Sequence, residues 1–266
     1  MDTTSAEKRF YNVAYSGDRY ATLRPGNKHF AAALLQEFVD KFDLVAKRCL
    51  EVGSGRGVFQ DVVEDYTGLD LSEVVAPRYH KPFFSGSAEN LPFDDNEFDA
   101  MWSITVLEHI PNPHNALCEM RRVLKNGGLL FLMPAWNCRP WICEGIPVRQ
   151  YSSLTLRQKW IKLTLPIREC MYLRALMTLP GRLWRSITTW KADIQLRFRK
   201  LDADYETFWM ADSDACSAID AFDVIQWFQS RGDLVLSHPS WRSALLSRNP
   251  TVVVRIQKQQ SEGVVG

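Results

Sequence analysis

Three closely spaced glycines and two carboxylates are the residues whose types and spacing could do chemistry in this chain. Gly53, Gly55 and Gly57 lie in the run LEVGSGRG, which also contains Glu51, and Asp70 ends the run YTGLD. A hydrophobic strand that ends in glycines and opens a helix lets the backbone approach a ligand closely. A carboxylate after the next strand can accept hydrogen bonds from both hydroxyls of a ribose. The pattern predicts a site for a ligand that carries a nucleoside.

The spacing of the glycines narrows the class of ligand. The dinucleotide fingerprint needs its third glycine five positions after the first, and that position is Val58 here. A lysine–serine phosphate cradle does not follow the loop either. Glu51 would repel a phosphate at short range and would attract a cation. S-adenosylmethionine, which carries a positive ammonium and a positive sulfonium, fits these requirements.

Four sequence blocks in order resemble the class I S-adenosylmethionine-dependent methyltransferases between residues 46 and 136. They are LEVGSGRG, GLDLS, GSAENLPFDDNEFDAMWSITVLEHI and ALCEMRRVLKNGGLLFLMPA. The resemblance implies S-adenosylmethionine as the cofactor. It also implies an α/β Rossmann-like fold, with a mostly parallel sheet, an antiparallel edge hairpin, helices on both faces and a mainly helical cap insertion.

The resemblance also implies which residues contact the cofactor. They are Glu51, Gly53, Gly55, Asp70, Leu71, Ser87, Ala88, Glu89 and Ser103. Asp70 would take the ribose, Leu71 would pack on the adenine, and Glu51 and Ser103 would lie near the methionine end. Ser87 departs from the family pattern, which commonly has Asp there, and a hydroxyl bonds an adenine amino group more weakly than a carboxylate does. The pattern predicts no metal site.

A general base is optional, because methyl transfer from a sulfonium is a direct displacement that depends mainly on alignment in a dry pocket. His109, in VLEHIPNPH, follows the fourth predicted strand and is the candidate base for a hydroxyl nucleophile. The alternative is that Glu108 and His109 stabilise the turn and the helix entry. Asp212, Ser213 and Asp214 resemble a metal-binding D-x-D triplet, but helix capping and loop solvation explain them better.

The elements that must position these residues alternate between strand and helix, which predicts a parallel sheet covered on both faces. The predicted strands span 48–52, 66–70, 82–84, 98–103, 129–133, 234–237 and 252–256, and the predicted helices span 29–47, 115–124 and 219–230. The last two strands, joined without a helix, would form the edge hairpin. In the leading segment, Tyr11, Tyr15 and Tyr20 either pack the start of the domain or close the pocket.

An insertion with a strong basic excess follows the fifth core strand. We expect residues 1–135 to form the leading segment and cofactor core, residues 136–212 to form a helical substrate cap, and residues 213–266 to complete the sheet. Between Arg149 and Lys200 there are twelve basic and two acidic residues, a net of twelve minus two, or +10. Pro166 and Pro180 would divide the segment into short helices.

Three interpretations of this basic insertion stay open. Its cations could form a solvated helix face while its apolar residues pack on the body of the domain. It could instead grip an acidic substrate, or rest on an anionic membrane surface through residues 149–200. A lipid-linked or glycan-related acceptor would unite the last two interpretations.

Composition restricts the partners and the compartment. Of the 266 residues, 46% are hydrophobic, which supports a packed core, and the net charge of +1 argues against a polycation built for nucleic acid. The six cysteines show no C-x-x-C spacing, and the first residues, MDTTSAEKRF, lack the apolar stretch of a secretory signal. We therefore expect a cytoplasmic protein, peripheral to the membrane under the third interpretation.

These observations favour methyl transfer to a small or amphipathic acceptor, at oxygen, on a metabolite linked to a glycan or a lipid. The alternative is a membrane-surface or partner-binding protein whose methyltransferase-like core is not catalytic. The sequence leaves the oligomeric state open.

Overall fold

The computed structural model describes residues 3–17, 29–188, 194–246 and 250–258. The strands in chain order are β1 (Cys49–Val52), β2 (Tyr66–Asp70), β3 (Phe83–Ser85), β4 (Phe98–Ile104), β5 (Leu124–Met133), β6 (Phe198–Lys200), β7 (Ser217–Ile219), β8 (Leu234–Val235) and β9 (Val252–Arg255). The α-helices are α1 (Thr3–Ser16), α2 (Ala32–Lys41), α3 (Pro113–Val123), α4 (Pro140–Cys143), α5 (Leu156–Leu163), α6 (Leu165–Arg168), α7 (Met171–Thr188), α8 (Ala221–Ser230) and α9 (Trp241–Leu245).

The main sheet has seven strands in the order β3-β2-β1-β4-β5-β9-β8. Strands β1 to β5 pair in parallel, whereas β9 lies antiparallel between β5 and β8. The predicted fold class is therefore confirmed. In the register of β1 and β2, Val52 lies opposite Leu69, which brings the loop after β1 beside the end of β2. This register puts the glycine loop next to Asp70.

Buried side chains cover both faces of the sheet. Helices α3 and α8 pack on one face through residues such as Leu117 and Phe222, and α2 packs on the other through Phe38. Strands β1 and β2 are buried along their whole length, as expected for the centre of a parallel sheet. The loops at the carboxyl ends of these strands are therefore held on a rigid base.

Several predicted boundaries differ from the structure. The glycine loop does not open a regular helix: consecutive turns follow it, with Gly57 N donating to Ser54 O and Gln60 N to Gly57 O. Three positive φ angles at Gly53, Gly55 and Gly57 are incompatible with α-helical backbone there. Helix α3 starts earlier than predicted, at Pro113, and residues 126–128 lie within β5 rather than in a separate turn. The short helix α9 interrupts the predicted direct connection of the last two strands.

Proline has different effects at its two positions in the insertion. Pro166 lies in the first turn of α6, where a missing N–H costs nothing, and the chain does break between α5 and α6. Pro180 lies inside α7, which continues to Thr188, so the prediction of a break there is wrong. Pro180 is exposed, and the carbonyl that it leaves without a helical donor can be hydrated on that side.

The insertion is not wholly helical, because β6 pairs with β7 in a two-stranded antiparallel ribbon. Its boundaries at residues 136 and 212 stay predictions. The apolar residues of the insertion fall into two sets. Ile161 and Leu196 are buried, as the first interpretation requires, whereas Leu176 on α7 is 66% exposed although Arg182 on the same helix is only 9% exposed. In the described part of the chain, no helix combines the length and the apolarity that crossing a membrane requires.

Candidate active site

A cavity of about 470 Å³ opens at the carboxyl ends of β1, β2 and β4, within the size range of small-molecule sites. The sequence-predicted site residues in its wall are Glu51, Gly53, Gly55, Asp70, Leu71, Ser87, Ala88, Glu89 and His109. The fold thus brings these predicted residues together although the first and the last of them, Glu51 and His109, are 58 positions apart in the chain. Their roles toward a ligand remain proposals.

The glycine loop forms a wall that leaves no room for side chains. A Cβ atom on Gly53, whose φ is +74°, would lie 2.1 Å from Cγ2 of Val106. On Gly55, with φ +50°, it would lie 2.9 Å from the hydroxyl oxygen of Tyr15. Both positions therefore need glycine for space as well as for backbone conformation.

Asp70 is buried at the end of β2 and tied to the glycine loop. Its Oδ2 accepts a hydrogen bond of 2.8 Å from Gly55 N, and its Oδ1 accepts one of 2.9 Å from Ser72 N. Burial raises the pKa of Asp70 to about 6, although these backbone donors act in the opposite direction. Each carboxylate oxygen has two lone pairs, so acceptor capacity remains for the two hydroxyls of a ribose.

Glu51 is a buried acid in the wall of the same cavity. The Tyr66 hydroxyl donates to its Oε2, and burial raises the pKa of Glu51 to about 8. Glu7, on α1, also lines the cavity, and burial raises its pKa to about 7. Buried carboxylates disfavour further negative charge and are stabilised by a cation. The donor set therefore fits a cationic cofactor such as S-adenosylmethionine and does not fit a phosphate.

Residues 86–89 form another part of the wall. The Ser87 hydroxyl oxygen accepts a hydrogen bond of 3.1 Å from Glu89 N, and Glu89 Oε1 accepts one of 3.0 Å from Asn112 N. Ser87 therefore shapes its own loop as well as facing the cavity.

Ser103 is the predicted site residue that does not line the cavity. It is 2% exposed within β4, which continues through Ile104, so the strand ends one residue later than predicted. Ile104, Thr105 and Val106 line the cavity instead. This placement corrects the expectation that Ser103 ends the strand beside the ligand.

Helix α1 lies over the cavity. Tyr11 and Tyr15 line it, in agreement with the pocket-closing alternative, while Tyr20 falls outside the described residues. Arg56 Nη2 donates to the carbonyl oxygens of Tyr15 at 3.1 Å and of Gly17 at 3.2 Å. The start of the chain is therefore fastened to the glycine loop.

His109 lies in a short 3₁₀ helix, Leu107–His109, after β4. Its Nδ1 is 3.3 Å from Asp214 Oδ2, a close contact outside hydrogen-bond angles, and Tyr11 Oη donates to the same oxygen at 3.0 Å. Burial lowers the pKa of His109, but the carboxylates of Asp214 and Glu108 outweigh burial and raise it overall. The imidazole thus faces a carboxylate partner in the cavity wall.

Glu108, the neighbour of His109, has a structural role. Its Oε1 accepts a hydrogen bond of 2.9 Å from Ala135 N, which joins the segments after β4 and β5. The interpretation of a turn-stabilising residue therefore suits Glu108. It does not suit His109, whose ring faces the cavity.

Asp212 and Asp214 line the cavity, which overturns the interpretation that they cap and solvate a loop. The Asp214 side chain is only 2% exposed. Backbone pairing puts it there: Cys216 N donates to Glu108 O at 2.9 Å, and the Ser217 hydroxyl donates to Ile110 O at 2.8 Å. Glu108, His109 and Asp212 also each place one potential ligand atom within 4.8 Å of the others. The absence of a metal remains a prediction.

Two histidines lie away from the cavity wall. His114 is half-buried, and its Nδ1 accepts hydrogen bonds from Leu196 N and Trp227 Nε1, both at 3.2 Å. His238 is buried beside Ser237. Neither is placed to contact a ligand in this cavity.

Sequence reasoning missed several residues of the wall, including Glu7, His29, Phe30 and Phe208. They come from segments far apart in the chain, and no motif marks them. Outside the cofactor motifs and the candidate base, the D-x-D triplet at residues 212–214 was the sequence signal that pointed to part of this wall.

The sequence matches a family model described as a methyltransferase domain over residues 50–132. A phthiotriol/phenolphthiotriol dimycocerosates methyltransferase of Mycobacterium tuberculosis is 33% identical over 168 residues, which are 54% of this chain and 62% of the relative. The phthiotriol/phenolphthiotriol dimycocerosates methyltransferase 1 of Mycobacterium ulcerans is 32% identical over 138 residues, which are 45% of this chain and 51% of that relative. This chain therefore spans less than two thirds of either relative.

Among solved structures, a SAM-dependent methyltransferase of Thermotoga maritima is 28% identical, with 47% of this chain and 60% of that chain covered and a TM-score of 0.37. The family match agrees with the predicted superfamily and with S-adenosylmethionine as the cofactor. Residues 50–132 of this chain are thus similar to a methyltransferase domain, the kind of domain that the four sequence blocks predict.

Proposed function

We propose that this protein transfers a methyl group from S-adenosylmethionine to a hydroxyl oxygen of a lipid-like acceptor. The observation that carries the proposal is the pair His109–Asp214 in the wall of an acid-lined cavity. The names of the two mycobacterial relatives support the acceptor class, since both are methyltransferases of dimycocerosate compounds.

The chain's own residues would divide the work of the reaction. When bound, S-adenosylmethionine supplies an electrophilic methyl group on a sulfonium. Asp70 would hold the ribose, and Glu51 would face the cationic end. Alignment of the acceptor oxygen with the methyl group then supplies most of the rate. His109 would take the hydroxyl proton as the new C–O bond forms and the C–S bond breaks.

Asp214 would act on His109 as a positioning residue. Its Oδ2, held by Tyr11 Oη, lies beside His109 Nδ1 and would leave Nε2 to receive the proton. The imidazolium that results would be stabilised by the same carboxylate. A small rotation that turned this contact into a hydrogen bond would fix the orientation of the base in a mostly buried site.

A labelled methyl group tests the proposal. Purified protein is incubated with S-adenosylmethionine labelled in its methyl group and an extract of the source cells, and the lipid, glycan and small-molecule fractions are separated. We expect label in the lipid fraction, at oxygen. Asp70→Ala should weaken cofactor binding by about 1.5–3 kcal/mol, the scale of lost charge-assisted hydrogen bonds. Asp61→Ala, on an exposed carboxylate paired with His80, is the matched control.

Two results would contradict the proposal. Cofactor binding without transfer of label to any fraction would favour the alternative, a binding protein with a non-catalytic core. Label confined to the glycan or small-molecule fraction would reject the acceptor class. The predicted cytoplasmic location also stays a prediction, and a lipid-like acceptor favours a peripheral position at a membrane.

Cofactor binding should release a proton from Glu51. Its pKa of about 8 means that the carboxyl is mostly protonated at pH 7 in the free protein, whereas a nearby cation favours the carboxylate. The affinity should therefore rise with pH, by up to about tenfold per unit below pH 8, and then level off. Calorimetry at pH 7 in two buffers of different ionisation enthalpy measures the release.

Glu51→Gln is the matched variant for this measurement. It keeps the size of the side chain and an acceptor for the Tyr66 hydroxyl, but it has no proton to release. A wild-type protein that binds with the same proton balance as Glu51→Gln would show that Glu51 does not face the cationic end.

A further inference from the structure

The helices of the insertion carry large apolar side chains that point to solvent. Eight of these side chains are between 62% and 82% exposed, and we call them the outer apolar face: Trp160, Leu163, Ile167, Tyr172, Leu176, Met177, Trp184 and Ile187. They come from α5, from α6 and from α7. Scattered apolar residues on a surface are ordinary, but an accumulation in one segment marks an interaction site.

Helix α7 turns its apolar side to solvent, whereas a helix that packs on a domain core turns its apolar side inward. Its exposed apolar residues recur at helical spacings of three, four and seven positions, at Leu173, Leu176, Met177, Trp184 and Ile187, so they share one side. A helix at the surface of a globular domain normally turns that side inward. Here it faces outward along five turns of helix, 18 residues in all.

The opposite side of α7 meets the body of the protein through buried charged groups, with Leu179 packed against the main core beside them. Arg182 Nε donates to Asp220 Oδ2 at 3.0 Å, and Arg182 Nη1 donates to Leu245 O at 2.7 Å. Arg185 Nε lies 2.9 Å from Asp223 Oδ1. These contacts hold α7 to α8 and α9 through charged groups, which leaves its apolar side free for another surface.

The charge of these helices complements an anionic surface. Residues 156–188 contain seven basic residues and one acidic residue. Arg182 and Arg185 pair with Asp220 and Asp223, so the charge left for another surface is five minus one, or +4. Lys162 and Arg168 donate to the neutral oxygens Arg149 O and Thr164 Oγ1. Cations beside an outward apolar side with tryptophans are the pattern of a helix that lies in a membrane interface.

We infer that the outer apolar face docks in the interface of an anionic lipid bilayer, with α7 lying in the membrane plane. The inference rests on the proposed function for its purpose, because a lipid-like acceptor would enter from the membrane. The insertion that carries this face also reaches the cavity, because Phe208 lines the cavity wall. The next residue, Trp209, stacks with Arg149, whose guanidinium lies 5.0 Å from the centroid of the Trp209 ring.

Vesicle binding tests the docking surface without any methyl transfer. The full chain is floated with vesicles of phosphatidylcholine alone or mixed with phosphatidylglycerol. We expect binding to the mixed vesicles that weakens as salt is raised. Leu176→Glu and Trp184→Glu should each lower the partition coefficient by about tenfold or more, because each removes a buried apolar side chain from the interface. Lys159→Gln and Arg168→Gln should each lower it about fivefold.

Matched variants separate the docking face from general effects. Leu234→Glu introduces the same change at an exposed leucine on the edge strand β8 and should leave vesicle binding unchanged. Leu176→Gln removes the apolar contact without adding a charge and should still weaken binding. Calorimetric binding of S-adenosylhomocysteine by each variant shows whether the cofactor domain is intact.

Three outcomes would overturn the inference. The first is no binding of the wild-type protein to anionic vesicles, and the second is binding that Leu176→Glu leaves unchanged. The third is a dimer in sedimentation that Leu176→Glu dissociates, since a second copy would then cover the face. Vesicle binding without methyl transfer would overturn the proposed function alone, and methyl transfer without vesicle binding would overturn only this inference.

Discussion

Replacing His109 by asparagine is expected to lower kcat by about 10²- to 10⁴-fold, the contribution of a positioned general base. The physical reason is that His109 faces the carboxylate of Asp214, whereas the Nδ1 of His29, another imidazole in the cavity wall, accepts a hydrogen bond of 3.3 Å from Ala31 N. Cofactor affinity should change little, because the predicted cofactor contacts come from β1, β2 and residues 86–89. Single-turnover kinetics with labelled cofactor separate the two effects.

The pH dependence of kcat identifies the role of Asp214. A base must be neutral to accept a proton, so kcat should rise with pH through the pKa of His109. The neighbouring carboxylates raise that pKa, which moves the acidic limb above the ordinary value of 6.5. Asp214→Asn removes one negative charge and should shift the limb to lower pH, a change that a merely structural role would not produce.

His80→Asn is the control for these measurements. His80 is exposed and pairs with Asp61 outside the cavity, so its replacement should leave kcat and the pH profile unchanged. If His109→Asn kept the wild-type kcat, the displacement would depend on alignment alone. If Asp214→Asn lowered kcat without moving the limb, Asp214 would be a structural residue.

Replacing Arg182 by alanine is expected to lower the free energy of unfolding by up to about 3–5 kcal/mol, the cost of removing one member of a buried ion pair. Arg185 Nη2, which lies 3.5 Å from Asp220 Oδ2, would offset part of this loss. Arg182 and Asp220 are each 10% exposed in their side chains, and two nitrogens of the guanidinium face the carboxylate. Asp220 also caps α8 by accepting from Phe222 N at 3.1 Å. Urea unfolding of the full chain measures the loss.

Arg174→Ala is the matched control on the same helix. Arg174 pairs with Glu169 at 3.2 Å, but their side chains are 35% and 42% exposed, so the expected loss is about 0–1 kcal/mol. Equal effects of the two substitutions would contradict the assignment of Arg182 as the residue that holds α7. Limited proteolysis adds a local readout, since α7 should become susceptible to cleavage only in Arg182→Ala.

The overall net charge of +1 conceals two regions of opposite charge. The cavity wall includes the carboxylates of Glu7, Glu51, Asp70, Asp212 and Asp214. The helices of the insertion carry an excess of cations instead. The two regions therefore suit different ligands: a cationic cofactor in the cavity and an anionic surface on the insertion.

The sequence was most informative where local backbone geometry determines the site. Alternation of strands and helices predicted the parallel order of β1 to β5, and the glycine spacing predicted a close-approach loop beside Asp70. Boundaries were less predictable. Strand β4 ends one residue later than predicted, and Ser103 lies inside the strand rather than in the cavity wall. Pro180 does not end α7, because the hydrogen bond that it removes is on the solvent side of the helix.

The amino-acid sequence by itself determined the superfamily, the cofactor and the loop that approaches it, because these depend on residues that are close in the chain and on backbone preferences. Only the tertiary structure decided that Asp214 faces His109, since pairing of Cys216 and Ser217 with the segment after β4 joins residues 105 positions apart. It also decided that the apolar side of α7 faces outward. Periodicity shows that a helix has two sides, but the buried pair Arg182–Asp220 selects which side meets the protein.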